Sequence, residues 1–191
     1  MNAQPQSFLT APDYLAWERQ QETRHEYLNG QIFAMTGASR AHNVLCGNMF
    51  ATLHSQLRGK PCEVYANDMR VKVSVTGMYT YPDLVAACGE PRVEDQAVDT
   101  LLNAILIIEI LSDSTERYDR GAKFTHYRSL ASLQKYLLVS QTECRIEHYL
   151  RQPGNHWLLT EYQDPHDRIH LNSLGSQLIL AEVYERILPI D

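Results

Sequence analysis

Apolar and polar positions recur along this chain in three different rhythms, and each rhythm predicts a different kind of element. From about residue 41 to 57 the spacing is helical: Leu45, Met49 and Leu53 form a stripe widened by Cys46, Phe50 and Leu57, until Gly59-Lys60-Pro61 stops it. Between residues 69 and 75, Met69, Val71, Val73 and Val75 alternate with Arg70, Lys72 and Ser74, the period of a strand with one polar or exposed face. Continuous apolar runs at 83–88 and 102–111 predict strands buried on both faces. Asn29-Gly30 is a strong two-residue turn signal inside a hairpin over 24–35. That turn pairs Leu28 with Gln31, Tyr27 with Ile32 and Glu26 with Phe33, so Glu26 shares a partly covered face with Leu28 and Phe33. Thr10 and Asp13 cap a short N-terminal helix, and Ser114 or Thr115 can cap another running to about Ser129. Further strands are expected at 63–66, 134–140 and 145–150, with peripheral ones at 157–162 and 168–171. The order of elements suits an α/β (α+β) domain with a mixed central β-sheet flanked by helices.

Bulk properties narrow the class without choosing a function. At 191 residues, 44% hydrophobic and 21% charged, the chain fits one globular domain over 1–191 with a sizeable core. No repeat, linker or low-complexity segment divides it. No apolar run approaches the roughly 20 residues of a membrane helix, and the stretch Met1–Ser7 has neither the basic start nor the apolar segment of a leader. A cytoplasmic location with no membrane partner is the expectation. Cys46, Cys62, Cys88 and Cys144 are scattered, with no Cys-x-x-Cys pair, so free buried thiols are expected before zinc or disulfides. The net charge of −6 counts against an avid, non-specific grip on duplex DNA. The charge is uneven, however: five Lys/Arg against three acids lie between Asp113 and Lys135.

Against that background two carboxylates stand out, Asp83 in Tyr81-Pro82-Asp83-Leu84-Val85 and Glu109 in Ile107-Ile108-Glu109-Ile110-Leu111. An acid inside a buried strand costs several kcal/mol unless something positive meets it. Lys123, on the helix after the second strand, is available. Asp, Glu and Lys on adjacent elements can build a metal-dependent phosphodiesterase site. Magnesium can serve there if one or two carboxylates hold it, the Ile110 carbonyl could offer a further ligand, and its other positions are left to water and phosphate. A nearby lysine can orient water or steady developing negative charge.

Several segments, in order, resemble the Uma-type restriction endonuclease family of the PD-(D/E)XK nuclease superfamily. They are Arg24-His25-Glu26-Tyr27-Leu28-Asn29-Gly30-Gln31-Ile32, Ser39-Arg40-Ala41-His42, Tyr81-Pro82-Asp83-Leu84-Val85, Ile108-Glu109-Ile110-Leu111-Ser112-Asp113-Ser114-Thr115 and Tyr118-Asp119-Arg120-Gly121-Ala122-Lys123, ending in Tyr127 and Tyr136-Leu137-Leu138-Val139. The resemblance spans roughly residues 8 to 185. It implies a restriction-endonuclease-like fold and a Mg²⁺-dependent activity on DNA, with Mn²⁺ as a substitute. Asp83 and Glu109 become metal ligands, Lys123 the catalytic lysine, and Glu26 and His42 members of the same pocket. Arg120 and Tyr127 are expected to touch substrate. A homodimer would supply the two sites that double-strand cleavage needs. Two departures matter. The position two after the glutamate, where the superfamily pattern has lysine, is Leu111, and Lys123 on the next helix takes over that role; Asp113 stands where the family usually has proline.

Each residue also has a plainer reading. Asp83 can be a strand-end aspartate bonded to a loop, and Glu109–Lys123 a structural ion pair. Glu26 can pair with Arg24 or Arg70, and His42 can be a capping or core histidine. Asp68 reads as structural. No Gly-rich phosphate loop, nucleophile elbow or zinc-protease motif is present, and His166 and His170 fall in a loop-to-strand segment where helical spacing has no meaning. Besides a DNA endonuclease, two readings stay open: a catalytically silent nucleic-acid-binding or regulatory module, and a hydrolase of small phosphates.

Overall fold

The structure, a computed structural model, describes residues 9–35 and 37–187. The stretch Met1–Ser7 read above for a leader, and residue 8 where the resemblance begins, lie outside the described residues. The chain runs α1 (Ala11–Glu18), β1 (His25–Leu28), β2 (Gln31–Ala34), α2 (Arg40–Leu57), β3 (Cys62–Ala66), β4 (Arg70–Val73), β5 (Met78–Thr80), β6 (Leu84–Cys88), β7 (Thr100–Leu101) and β8 (Leu106–Ile110). A helical segment follows in three parts: α3 (Glu116–Tyr118), a π-helical stretch (Asp119–Lys123) and α4 (Phe124–Tyr127). Then come β9 (Lys135–Val139), β10 (Ile146–Arg151), β11 (Trp157–Tyr162), β12 (Arg168–Leu171), β13 (Ser176–Ile179) and α5 (Leu180–Val183).

The mixed sheet flanked by helices is present: six strands in the order β11-β10-β9-β8-β6-β3, with β8 and β9 parallel and every other pair antiparallel. A second sheet of five strands, β2-β1-β5-β4-β7, packs beside it, and β12-β13 make a small third. The division into two large sheets rests on β5 and β7, which are too short for periodicity to reveal. Strand alternation gives the main sheet two dry faces. Leu84, Ala86, Leu106, Ile108, Ile110, Leu137 and Val139 meet the Leu45-Met49-Leu53 stripe of α2, together with Ile169, Leu178 and Val183. Val85, Ala87, Ile107, Leu111 and Leu138 meet Phe124 and Tyr127 of α4 and Val71, Val73 and Met78 of the second sheet. Glu109 falls between Ile107 and Leu111 on this second face, so the period of two aims it into the space between the sheets.

The hairpin register is the one its turn dictates, Leu28↔Gln31, Tyr27↔Ile32 and Glu26↔Phe33. Asn29 (φ 49°) and Gly30 (φ 86°) adopt the two positive φ angles a type I′ turn requires.

Two expectations are corrected. Arg70 was placed on a polar or exposed face but is 2% exposed: Asp99 pairs with it at 2.8 Å, and Thr100 Oγ1 and the Tyr81 hydroxyl each accept from it at 2.9 Å. The rings of Tyr14 on α1 and of Tyr81 lie over Arg70 at 5.8 and 5.5 Å, and the guanidinium is buried only because these acceptors satisfy it. Free thiols were expected at all four cysteines, yet Cys62 and Cys88 form a disulfide, leaving Cys46 and Cys144 free. The two are register partners across antiparallel β3 and β6, which sets their Cβ atoms side by side although 26 residues separate them in the chain.

Candidate active site

Sheet register assembles the site. Leu84 pairs with Ile108 and Val85 with Ile107; carried one residue further, that register sets Asp83 across from Glu109, on the same face as Val85 and Ile107. Asp83 Oδ2 accepts the Ile110 N–H at 2.7 Å, which locks the aspartate to the backbone carrying Glu109. Asp83 Oδ1 meets His42 Nε2 at 3.0 Å. His42 stands in the first turn of α2, whose N-cap Ser39 accepts from the His42 N–H at 3.0 Å.

Lys123 is the hub of the arrangement. It is 5% exposed, and its Nζ lies 2.9 Å from Glu109 Oε1, 3.0 Å from Glu26 Oε1 and 3.6 Å from Asp119 Oδ1. Those carboxylates come from β8, from β1 in the second sheet and from the lysine's own helix. The helix carries a π-helical segment over Asp119–Lys123, a local widening frequent at functional sites. Burial acts to lower the Lys123 pKa, but Glu109 and Glu26 outweigh it and hold the ammonium well above its ordinary range. Burial pushes Glu109 the other way, up to about 8, against the pull of Lys123 and with added repulsion from Asp119 and Asp83. Asp119 is raised for the same main reason. The surroundings therefore leave too little positive charge for all the acids present.

The residues named from sequence divide into two groups. Glu26, His42, Asp83, Glu109, Ile110 and Lys123 line one cleft of about 800 Å³, as do Asp119 and Tyr118. Arg120 and Tyr127 do not line it. Arg120 turns away to Glu116 (2.8 Å) and to Glu147 on β10. Tyr127 is wholly buried behind Glu109, donating to its Oε1 at 2.8 Å. Glu26 pairs with neither Arg24 nor Arg70: Arg24 binds Asp68 at 3.0 Å and Arg70 binds Asp99. Its partners are Lys123 and the Thr80 hydroxyl.

Supporting residues went unread. Thr80 sits on a three-residue strand directly before Tyr81-Pro82-Asp83, and only that proximity could have marked it. Glu18, 1% exposed, takes the His25 N–H at 2.9 Å and the Tyr81 hydroxyl at 3.1 Å, tying together the neighbours of Glu26 and Asp83. Gln141 donates to the Leu111 carbonyl at 2.6 Å and accepts from Ser39 at 2.5 Å, bridging the end of β8 to the start of α2. Tyr127→Phe should leave one buried carboxylate oxygen with a donor fewer and cost about 1–3 kcal/mol of stability, read by urea denaturation.

The donor set suits a hard divalent cation. At the centre of the cleft four carboxylates, Glu26, Asp83, Glu109 and Asp119, lie against Lys123 and His42. Among the described residues no three His, Cys, Asp or Glu side chains already converge as a closed cage. Magnesium does not need one, since it commonly binds through one or two carboxylates and keeps its waters.

The family model described as "Uma2: Putative restriction endonuclease" matches residues 11–182, and the chain belongs to that family. It is 37% identical over 176 residues to the uncharacterized protein slr1290 of Synechocystis, covering 92% of this chain and 91% of that one. A second Synechocystis protein, the uncharacterized sll1609, is 37% identical over 153 residues, 80% of this chain and 86% of its own. The fold is that of a crystal structure described as a putative nuclease belonging to DUF820 from Anabaena variabilis. The TM-score is 0.77 at 16% identity, covering 94% of this chain and 99% of that one. No helix among the described residues is long and apolar enough to cross a membrane.

Proposed function

We propose that this protein is a metal-dependent endonuclease that hydrolyses phosphodiester bonds in DNA. The observation that carries the reading is the side-by-side placement of Asp83 and Glu109 on one sheet face, with Lys123 buried against Glu109 at 2.9 Å. The family's description as "Putative restriction endonuclease" and the Anabaena protein's as "a putative nuclease" support the same class of reaction. Asp83, Glu109 and the Ile110 carbonyl are the groups that would hold Mg²⁺, or Mn²⁺ in its place. Such an ion, when bound, neutralises phosphoryl charge and lowers the pKa of water. Lys123 is held charged by its carboxylate neighbours, so it can donate to a phosphoryl oxygen or orient the attacking water. Glu26 fixes the lysine from the opposite sheet and can accept a proton from that water. His42 steadies Asp83 at 3.0 Å and lines the cleft, where it can touch a phosphate. The enzyme is read as one nuclease domain over 1–191 with its core at about 8–185, cytoplasmic, and paired as a homodimer.

Supercoiled plasmid incubated with Mg²⁺ or Mn²⁺, with chelator as control, tests the reading. Metal-dependent nicking by the wild type that disappears in Asp83→Ala and Lys123→Ala is the expected result. Nicking that survives both substitutions would sink it. The net charge of −6 favours one competitor, the silent nucleic-acid-binding module; binding without nicking under any metal would put that module first.

A further inference from the structure

The cleft that holds the carboxylates and lysine is poorly built for a duplex. Its lining carries eight acids (Glu26, Asp68, Asp83, Glu109, Asp113, Glu116, Asp119 and Glu143) against three Lys/Arg. All three bases are already engaged: Arg24 with Asp68 at 3.0 Å, Arg145 with Glu143 at 2.9 Å, and Lys123 with Glu109 and Glu26. Duplex DNA presents about one charge per 1.7 Å of axis, a single strand about half that, and proteins that grip duplexes do so with free Lys and Arg. Affinity in this cleft has to come from something else.

The second component of the lining is apolar and aromatic, and it adjoins the charged centre. Phe33 is the cross-strand partner of Glu26 and lines the same cleft. The Tyr118 ring lies 5.9 Å from Lys123 Nζ; it is half-buried, its inner edge packed on the core beneath the helix. Met35, 37% exposed, extends the wall at the rim. Rings beside a phosphate-handling centre suit a base that has left its stack. In a duplex the bases stay paired and stacked inward, out of reach of such a wall; an unpaired nucleotide can lay its base on an aromatic face while its phosphate reaches Lys123 and a divalent cation held by the carboxylates.

The geometry points to an unpaired nucleotide of a single-stranded or flapped nucleic acid as the ligand of this cleft, its base stacked against Phe33 and Tyr118. This rests on the nuclease reading for the fate of the phosphate but concerns binding, which is measured separately.

The test is fluorescence anisotropy of a labelled oligonucleotide, as a single strand and as a blunt duplex of the same sequence, in Ca²⁺, with strand integrity checked on a gel. The single strand should bind at least about tenfold more tightly than the duplex. Phe33→Ala and Tyr118→Leu should each weaken single-strand binding by roughly 5- to 100-fold, the span of one base–aromatic stack, with duplex binding unchanged. Tyr118→Phe, which keeps the ring, should retain wild-type binding and shows that the loss is not misfolding. Equal or tighter duplex binding overturns the inference, as does no measurable single-strand binding. So does single-strand binding indifferent to both substitutions in variants whose circular dichroism is native. Ring-dependent single-strand binding without cleavage in either Mg²⁺ or Mn²⁺ supports the inference and sinks the nuclease reading; cleavage of duplex alone does the reverse.

Discussion

Asp83→Asn should fold like the wild type and lose metal-dependent cleavage by on the order of 10³-fold or more, since a catalytic metal contributes several kcal/mol to the transition state and each 1.4 kcal/mol is a factor of ten. The asparagine keeps a carbonyl oxygen that can accept the Ile110 N–H, the bond that now holds Asp83 at 2.7 Å, so the strand ends should stay in register. What goes is the negative charge beside Glu109 that a divalent cation would need. Single-turnover cleavage at saturating Mn²⁺ and a thermal melt on the same preparation separate the two effects. A variant that melts normally but cleaves at the wild-type rate would remove Asp83 from the site. Losing fold and activity together would instead mark it as a structural strand-end residue.

Lys123→Met is the second large effect, and it should appear in stability even without substrate. Removing one partner of a buried ion pair leaves uncompensated charge and costs about 3–5 kcal/mol. Here the abandoned partners are Glu109 and Glu26, each within 3.0 Å of Nζ. The pH dependence gives the sign. In the folded, metal-free protein Glu109 is pushed up to about 8 from an ordinary 4.5. The folded state therefore holds a proton that the unfolded chain releases, and this contribution to stability is full below about 4.5 and lost as pH rises toward 8. Lys123 is raised, so its contribution is full throughout this range, begins to fall only above the ordinary lysine value of 10.5, and is lost as pH rises through its elevated folded value. Deleting it should destabilise the metal-free protein more at pH 8.5 than at pH 5.5, where Glu109 can stay protonated. Urea denaturation at the two pH values measures the difference. Adding Glu109→Gln should recover much of the loss at pH 8.5; an equal penalty at both pH values in Lys123→Met would show that Lys123 does not neutralise Glu109.

The most legible part of the site was its carboxylates, because the signal was local. An acid in an apolar strand is conspicuous wherever it occurs, and alternation alone decides which face it occupies. Glu109 between Ile107 and Leu111 could only face the layer carrying α4. The hairpin register was legible for the same reason: Asn29-Gly30 fixes the turn, and the turn fixes every pair beyond it. Of their partners, Lys123 was legible as the cation to meet Glu109, and the rest were not. Tyr127 is one turn beyond Lys123 and looked like a residue that meets substrate, but the helix carries it behind Glu109 and out of the cleft. Arg120 is three residues before Lys123 and points to another strand. Cys62 and Cys88 had no spacing to mark them as a pair.

The division follows from the range of the forces involved. Periodicity, turn chemistry and capping act over a few residues, so the sequence by itself determined the elements, the faces they bury, the hairpin register and the identity of the lone acids in dry strands. Which groups meet across elements depends on how sheets pack, on where β5 and β7 join a second sheet, and on the π-helical turn that presents Lys123. Those follow from the sum of many weak contacts between distant segments: a shared pocket for Glu26, Asp83, Glu109 and Lys123 was implied by the family resemblance, but only the tertiary structure decided how they meet there and that Arg120 and Tyr127 stay outside it.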